Sequence, residues 1–320
     1  MMPSNFTFGY GDDFAHVSPL AYGCMRLAPW ERSEATPDTE RNGIAVLEAA
    51  YEAGYTIFDH ADIYGDTMCE TIFGKALEQH PEWRDNIFVA TKCGIRWAHE
   101  PAQTAPFRYE LSYGHIKRSV EESLKRLNVG RIDLLQLHRP DPLMHPENVA
   151  RAFTELRTEG KVRFFGVSNF LHTRVEALRH ALPIDMPLIV NQIEFHLNRL
   201  DPLENGQLDH ALERKYAILA WSPLDRGRLC DGYVPPSEDS TAFSKSTRVL
   251  HALDVEAKEL GVSRTEVALA WLMRHPARIM PIVGSTTPAN IQTAANAASL
   301  KLSREAWYRL LEASRGERVP

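Results

Sequence analysis

The stretch GYTIFDHADIYG, residues 54–65, decides how this chain is read. Its first half, TIFDHA (56–61), is an apolar run of strand length. Its second half turns polar and closes on Tyr64-Gly65. A strand that is apolar on both faces and turns polar only at its C-terminal end fits a parallel sheet covered on both sides.

Working outward, the same kind of run recurs. LAYG (20–23) precedes it, and IFVATKC (87–93), IDLLQLH (132–138), VRFFGVS (162–168), LIVNQIEF (188–195), AILAWS (217–222) and MPIVGS (280–285) follow. Apolar spacing near 3.6 predicts helices over 41–53, 69–79, 115–127, 147–159, 172–181, 207–215, 249–260 and 264–274, with two more over 288–298 and 303–314. Strand–helix units in this number predict an α/β fold, a (β/α)8 TIM barrel with a short N-terminal hairpin in residues 6–18 and a C-terminal helix. A doubly wound open sheet is the alternative. Its dinucleotide-binding form would carry G-x-G-x-x-G after the first strand; that motif is absent, as is G-x-x-x-x-G-K-[ST]. No linker divides the chain, so one domain over 1–320 is expected. The stretch 225–247, rich in Gly, Pro and Ser, reads as a long connection after the seventh strand.

Bulk properties remove whole classes of function. Hydrophobic residues make up 44% of the 320 and charged residues 24%, enough for a sizeable core. The net charge of -6 gives no basic footprint for nucleic acid. No apolar run suits a membrane span, and the N-terminus does not read as a secretion signal, so the expected location is the cytoplasm, as a monomer or weak oligomer. Cys24, Cys69, Cys93 and Cys230 form no C-x-x-C pair, so no metal site is expected.

In a barrel of this kind the C-terminal strand ends line the active site. Those ends carry Asp59 and Tyr64, Lys92, His138, Ser168-Asn169, Asn191-Gln192 and Trp221-Ser222. Alone, each has a bland reading as a surface charge or a satisfied core residue. Asp59, Tyr64, Lys92 and His138 facing one mouth have a joint chemistry. A free tyrosine is a poor acid near neutrality, with a pKa of about 10. An ammonium beside it favours the phenolate, and Lys92 supplies one. Asp59 would keep Lys92 charged and oriented, and His138 would hydrogen-bond a substrate oxygen. Tyr64 would then protonate the alkoxide that forms as hydride arrives.

The segments GYTIFDHADIYG, VATKCG, LLQLHRPDP, GVSNF, NQIEF and AWSPL resemble, in order, signatures of the aldo-keto reductase superfamily, over residues 20 to about 300. DHADIYG, LHRPDPL, GKVRFFGVSNF and SREAWYRL are most similar to the bacterial YdhF-like oxidoreductase branch. The resemblance implies NADPH-dependent reduction of aldehydes or ketones, with Tyr64 as proton donor supported by Lys92, Asp59 and His138. It places Ser168, Asn169 and Gln192 on the nicotinamide carboxamide, Trp221 against the ring, and Met25 near the ribose. Ser222, Leu224, Gly227 and Arg228 would cover the pyrophosphate, and Gly284, Ser285, Thr286, Thr287 and Asn290 the adenosine phosphate. Thr287 and Asn290 stand where basic residues are common in the family, so NADH is the alternative donor and Arg226 or Arg228 the compensating charge. Trp30 and Trp97 are expected to line an open, permissive, aromatic substrate pocket.

Two rival functions are carried alongside. One is a nucleotide-sensing module of the channel β-subunit type, with little turnover. The other is a barrel hydrolase or isomerase using Asp59 and His138 without nicotinamide.

Overall fold

The structure is a computed structural model that describes residue 2 and residues 5–235 and 241–319. It opens with a hairpin, β1 (Phe6–Tyr10) and β2 (Asp13–Val17), paired antiparallel with Phe6 opposite Val17. Gly11 (φ +58°) sits in the turn itself, and Gly9 on β1 (φ +134°) lets the two strands close, since a Cβ there would lie 2.1 Å from the Asp13 carbonyl oxygen.

The chain then alternates. β3 (Ala21–Gly23) leads to α1 (Thr39–Glu52), β4 (Ile57–Asp59) to α2 (Met68–Gln79), and β5 (Phe88–Cys93) to a small excursion. That excursion pairs β6 (Ile95–Arg96) with β7 (Arg108–Tyr109) before α3 (Tyr113–Leu127). Next come β8 (Ile132–Leu137), α4 (Pro146–Thr158), β9 (Val162–Ser168), α5 (His172–Ala181), β10 (Leu188–Glu194), α6 (Asp201–Glu204) and α7 (Gln207–Arg214). The last part holds β11 (Ala217–Trp221), α8 (Thr241–Leu260), α9 (Arg264–Met273), β12 (Ile279–Val283), α10 (Pro288–Asn296) and α11 (Arg304–Arg315).

Eight parallel strands close into a barrel in the order β3-β4-β5-β8-β9-β10-β11-β12, and β12 pairs back to β3. This is the (β/α)8 barrel that the apolar runs predict. Two expectations change. The helix read as 249–260 begins at Thr241, so the connection after β11 is shorter than 225–247; residues 236–240 of it lie outside the described residues. The β6–β7 hairpin is an addition that the sequence reading did not contain.

Strand periodicity explains how a packed core turns into a polar mouth. Side chains alternate, so every second residue points inward. On β5 the inward series is Phe88, Ala90, Lys92; on β8 it is Leu134, Gln136 and then His138; on β4, Ile57 and Asp59; on β11, Ala217, Leu219, Trp221. The lower members form one apolar cluster with Phe8 and Val17 of the hairpin, which plugs the floor. The upper members are the polar groups. The outward residues pack against the helices in a second, larger cluster. Gly166 on β9 keeps the interior closed, since a Cβ there would meet Val190 Cγ2 at 2.3 Å.

The C-terminal helix is fastened by a pair of tryptophans. Trp271 on α9 and Trp307 on α11 stack with ring centres 5.2 Å apart, and each indole N–H donates to the other's carbonyl oxygen, at 3.1 and 3.0 Å. No helix among the described residues is long and apolar enough to cross a membrane.

Candidate active site

The C-terminal strand ends open into a cavity of about 900 Å³. That lies within the usual range for ligand pockets of about 300–1,000 Å³. At its base Lys92, fully buried, donates from Nζ to Asp59 Oδ2 at 2.7 Å, to the His60 carbonyl oxygen at 2.7 Å and to the Tyr64 hydroxyl at 3.2 Å. All three ammonium donors are therefore used. Asp59 is equally occupied: its Oδ1 accepts from Gln192 Nε2 at 2.9 Å and from Gln136 Nε2 at 3.2 Å. Strands β4, β5, β8 and β10 thus meet on one carboxylate. Gln136 has no functional reading in the sequence, where it looks like a polar interruption of an apolar strand.

Burial is the largest influence on Lys92, Tyr64 and His138. It acts to strip the proton from Lys92, but the Asp59 carboxylate and the Tyr64 phenol hold the Lys92 pKa above its ordinary value. Burial also raises the Tyr64 pKa, against the lowering pull of Lys92, and the net shift is upward. The expectation that the ammonium makes Tyr64 more acidic therefore holds for the sign of the Lys92 contribution and fails for the sum. His138, on the other side of the cavity, meets Tyr64 edge-on with ring centres 5.8 Å apart. Burial, then the Lys92 and Arg139 charges, hold its pKa well below the ordinary value, so the imidazole is neutral.

The second polar layer is tied to itself. Ser168 Oγ donates to the Gln192 carbonyl oxygen at 3.1 Å, Asn169 Nδ2 to Ser168 Oγ at 2.8 Å, and Trp221 Nε1 to Asn169 Oδ1 at 3.0 Å. Gln192 spends its N–H groups on Asp59 and Gln136 and keeps only Oε1 for anything else. After β11 the chain folds over the cavity through Ser222 (φ +49°), Asp225 (φ +47°) and Arg226 (φ +56°). Non-glycine residues in this region each cost on the order of 1–3 kcal/mol and gather at ligand clamps. Asn198 Nδ2 donates to Asp225 Oδ2 at 2.8 Å and pins the turn.

Of the residues singled out from sequence, Met25, Trp30, Asp59, Tyr64, His138, Ser168, Asn169, Gln192, Trp221, Ser222, Leu224, Gly227, Gly284, Ser285 and Asn290 line this cavity. Lys92 lies directly behind it. Four others do not line it either. Arg228 turns toward Asp225, with 3.8 Å between charged atoms, and it is Arg226 that faces inward. Thr286 and Thr287 are exposed where the chain enters α10, and Trp97 stands behind Trp30, ring centres 5.3 Å apart. The cavity also takes in Arg26 and Arg139, to which the sequence reading gave no role.

A model of the aldo/keto reductase family matches residues 19–315. The chain is 40% identical over 310 residues to a 6-dehydroglucose reductase of Novosphingobium aromaticivorans, covering 95% of this chain and 94% of that one. It is 36% identical over 305 residues to the oxidoreductase YdhF of Escherichia coli, covering 95% of each, in keeping with the branch its motifs resemble. Among solved structures, a glycerol dehydrogenase from Gluconobacter oxydans superimposes with a TM-score of 0.84 at 25% identity, over 100% of this chain and 98% of that one.

Proposed function

Because the chain belongs to the aldo/keto reductase family and is an oxidoreductase of that family, we propose that it reduces aldehyde and ketone carbonyls to alcohols with Tyr64 as the proton donor. The observation that carries this reading is the fully buried Lys92 ammonium, bonded at once to Asp59 and to the Tyr64 hydroxyl at the base of a large cavity.

A nicotinamide dinucleotide suits the residues present. Gln192 Oε1 is free to accept from a carboxamide N–H, and Ser168 and Asn169 would exchange their present hydrogen bonds for bonds to the carboxamide. Trp221 offers an aromatic face. Arg26 and Arg226 line the cavity with no carboxylate partner within salt-bridge range among the described residues, so two cations are available to a pyrophosphate. Asn290 and the N-terminus of α10 add neutral donors for an adenosine phosphate. When bound, the reduced nicotinamide supplies a hydride.

The protein's own part follows from its protonation states. Tyr64, with its pKa raised, keeps its proton at neutral pH and can donate it. The Lys92 ammonium stabilises the phenolate left behind, and Asp59, fixed by Gln136 and Gln192, keeps that ammonium in place. Neutral His138 orients the carbonyl oxygen by a hydrogen bond rather than by charge.

The preferred donor is NADPH, with Arg226 carrying the charge that Thr287 and Asn290 lack, and NADH serves less well. Residues 1–320 act as one domain in the cytoplasm, as a monomer or weak oligomer, on a small carbonyl substrate. NADPH oxidation against aldehydes, ketones and oxidised sugars tests the reading. The name of the Novosphingobium relative puts 6-dehydroglucose first on that panel. Turnover of at least one carbonyl, faster with NADPH than with NADH, is expected. Tight NADPH binding without hydride transfer to any reactive aldehyde would instead make the chain a nucleotide sensor.

A further inference from the structure

Arg139 follows His138 on the loop leaving β8, is half-buried, and lines the cavity. No carboxylate lies within salt-bridge range of it among the described residues. Its recorded neighbour is the Trp221 ring, 5.8 Å from the guanidinium carbon. Asp141, the acid best placed in sequence to neutralise it, is committed elsewhere: Oδ2 accepts from the Leu111 N–H at 3.0 Å and Oδ1 from the Leu143 N–H at 2.8 Å. Three further cations near the site are paired, Lys92 with Asp59 and both Arg96 and Arg108 with Glu110.

An exposed unpaired arginine needs no explanation, because water solvates it. A half-buried one in a pocket has given up part of that hydration, and the apolar residues that line the same cavity, such as Ile63, Ile95 and Trp30, return none of it. Its charge is felt at His138, where it adds to the effects of burial and Lys92. Arg26 and Arg226 share this unpaired state, but Arg26 acts on Cys230 and Arg226 belongs to the turn after β11, at the end assigned above to the dinucleotide. Arg139 instead shares its backbone with His138.

On the carbonyl-reductase reading above, we propose that Arg139 is a specificity-determining residue that binds a carboxylate on the substrate. The favoured class is aldehydes carrying a carboxylate a few bonds from the carbonyl. With the carbonyl oxygen between Tyr64 and His138, the planar guanidinium presents paired N–H donors that match the two carboxylate oxygens.

The test compares ω-oxo acids from glyoxylate to 6-oxohexanoate, each against the n-alkanal of equal carbon count, in the full-length protein with NADPH. At the best chain length the acid should exceed the alkanal by about 10- to 100-fold in kcat/KM, through KM rather than kcat, the range of one charge-assisted hydrogen-bonded pair. Arg139→Met should bring that acid-to-alkanal ratio to about one, and Arg139→Lys should restore part of it. A wild-type ratio near one at every length overturns the proposal, as does a ratio that Arg139→Met leaves intact. An unchanged ratio with a raised KM for NADPH would move Arg139 to the cofactor. Failure of both series to turn over would sink carbonyl reduction itself, a different outcome from turnover without preference.

Discussion

Asp59, at the end of β4, and Asp62, in the turn that follows, are three residues apart and both buried, yet they belong to different regions. Asp59 points into the barrel, where Lys92, Gln136 and Gln192 meet both its oxygens beneath the cavity. Asp62 points outward, between the barrel and the helices. Its Oδ1 has no partner, and burial followed by the Glu70 charge pushes its pKa up to about 8. Beside it Glu70, fully buried, accepts from Thr91 Oγ1 at 2.6 Å and from Arg126 Nε at 2.8 Å. The inner cluster joins a cation and a phenol at a cavity wall; the outer one joins β5, α2 and α3 away from any ligand. Burial of charge alone does not mark a catalytic centre, and access to a cavity is what separates the two.

The largest effect should come from Tyr64→Phe, which removes only the inner proton. The expected loss in kcat is about 10²- to 10⁴-fold, the usual worth of general acid catalysis, with NADPH affinity by titration nearly unchanged. Normal turnover would remove Tyr64 as the acid. Lys92→Met breaks the inner cluster from the other side and leaves Asp59 buried without its cation, costing about 3–5 kcal/mol in denaturant unfolding as well as turnover. Retained turnover in the folded variant would show that the ammonium is structural.

Glu70→Gln, in the outer cluster, should cost about 1–3 kcal/mol of stability while kcat/KM per folded molecule stays within about threefold. A catalytic defect larger than the stability defect explains would erase the distinction between the two regions. The smallest effect on turnover should come from Asp62→Asn, which is seen instead in the pH dependence of stability. An unfolded aspartate titrates near about 3.9, whereas folded Asp62 holds its proton to about pH 8. The folded state therefore binds the extra proton, and this contribution to stability is lost as pH rises from about 4 through 8. The stability of Asp62→Asn relative to wild type should grow over that window and level off above it. A difference that is flat in pH would mean that Asp62 ionises normally.

The sequence made the barrel legible because its strands are near-continuous apolar runs and its helices keep a 3.6 period. The hairpin of Ile95–Arg96 with Arg108–Tyr109 escaped because two-residue strands carry no period. The first turns of α8, Thr241 to Arg248, escaped because Thr and Ser are weak helix formers and give no apolar stripe. In the site, Asp59, Tyr64, Lys92 and His138 stood out by residue type at strand ends. Gln136 did not, since its value comes from three strands converging on Asp59. Arg139 did not either, since only the structure reveals that Asp141 is turned to the backbone.

The stacked pair Trp271 and Trp307 has a spectroscopic consequence. Of the six tryptophans, Trp30 and Trp221 line the cavity, whereas Trp271 and Trp307 are locked face to face between α9 and α11. These are two separable sets of indoles; of the remaining two, Trp97 packs against Trp30 and Trp83 stacks on Tyr51. Ligand entering the cavity perturbs the first set and leaves the second silent. Melting of α11 frees the second set from its stack. One molecule thus carries an occupancy reporter and an unfolding reporter, and replacing Trp30, Trp83, Trp97 and Trp221 by phenylalanine would isolate the latter.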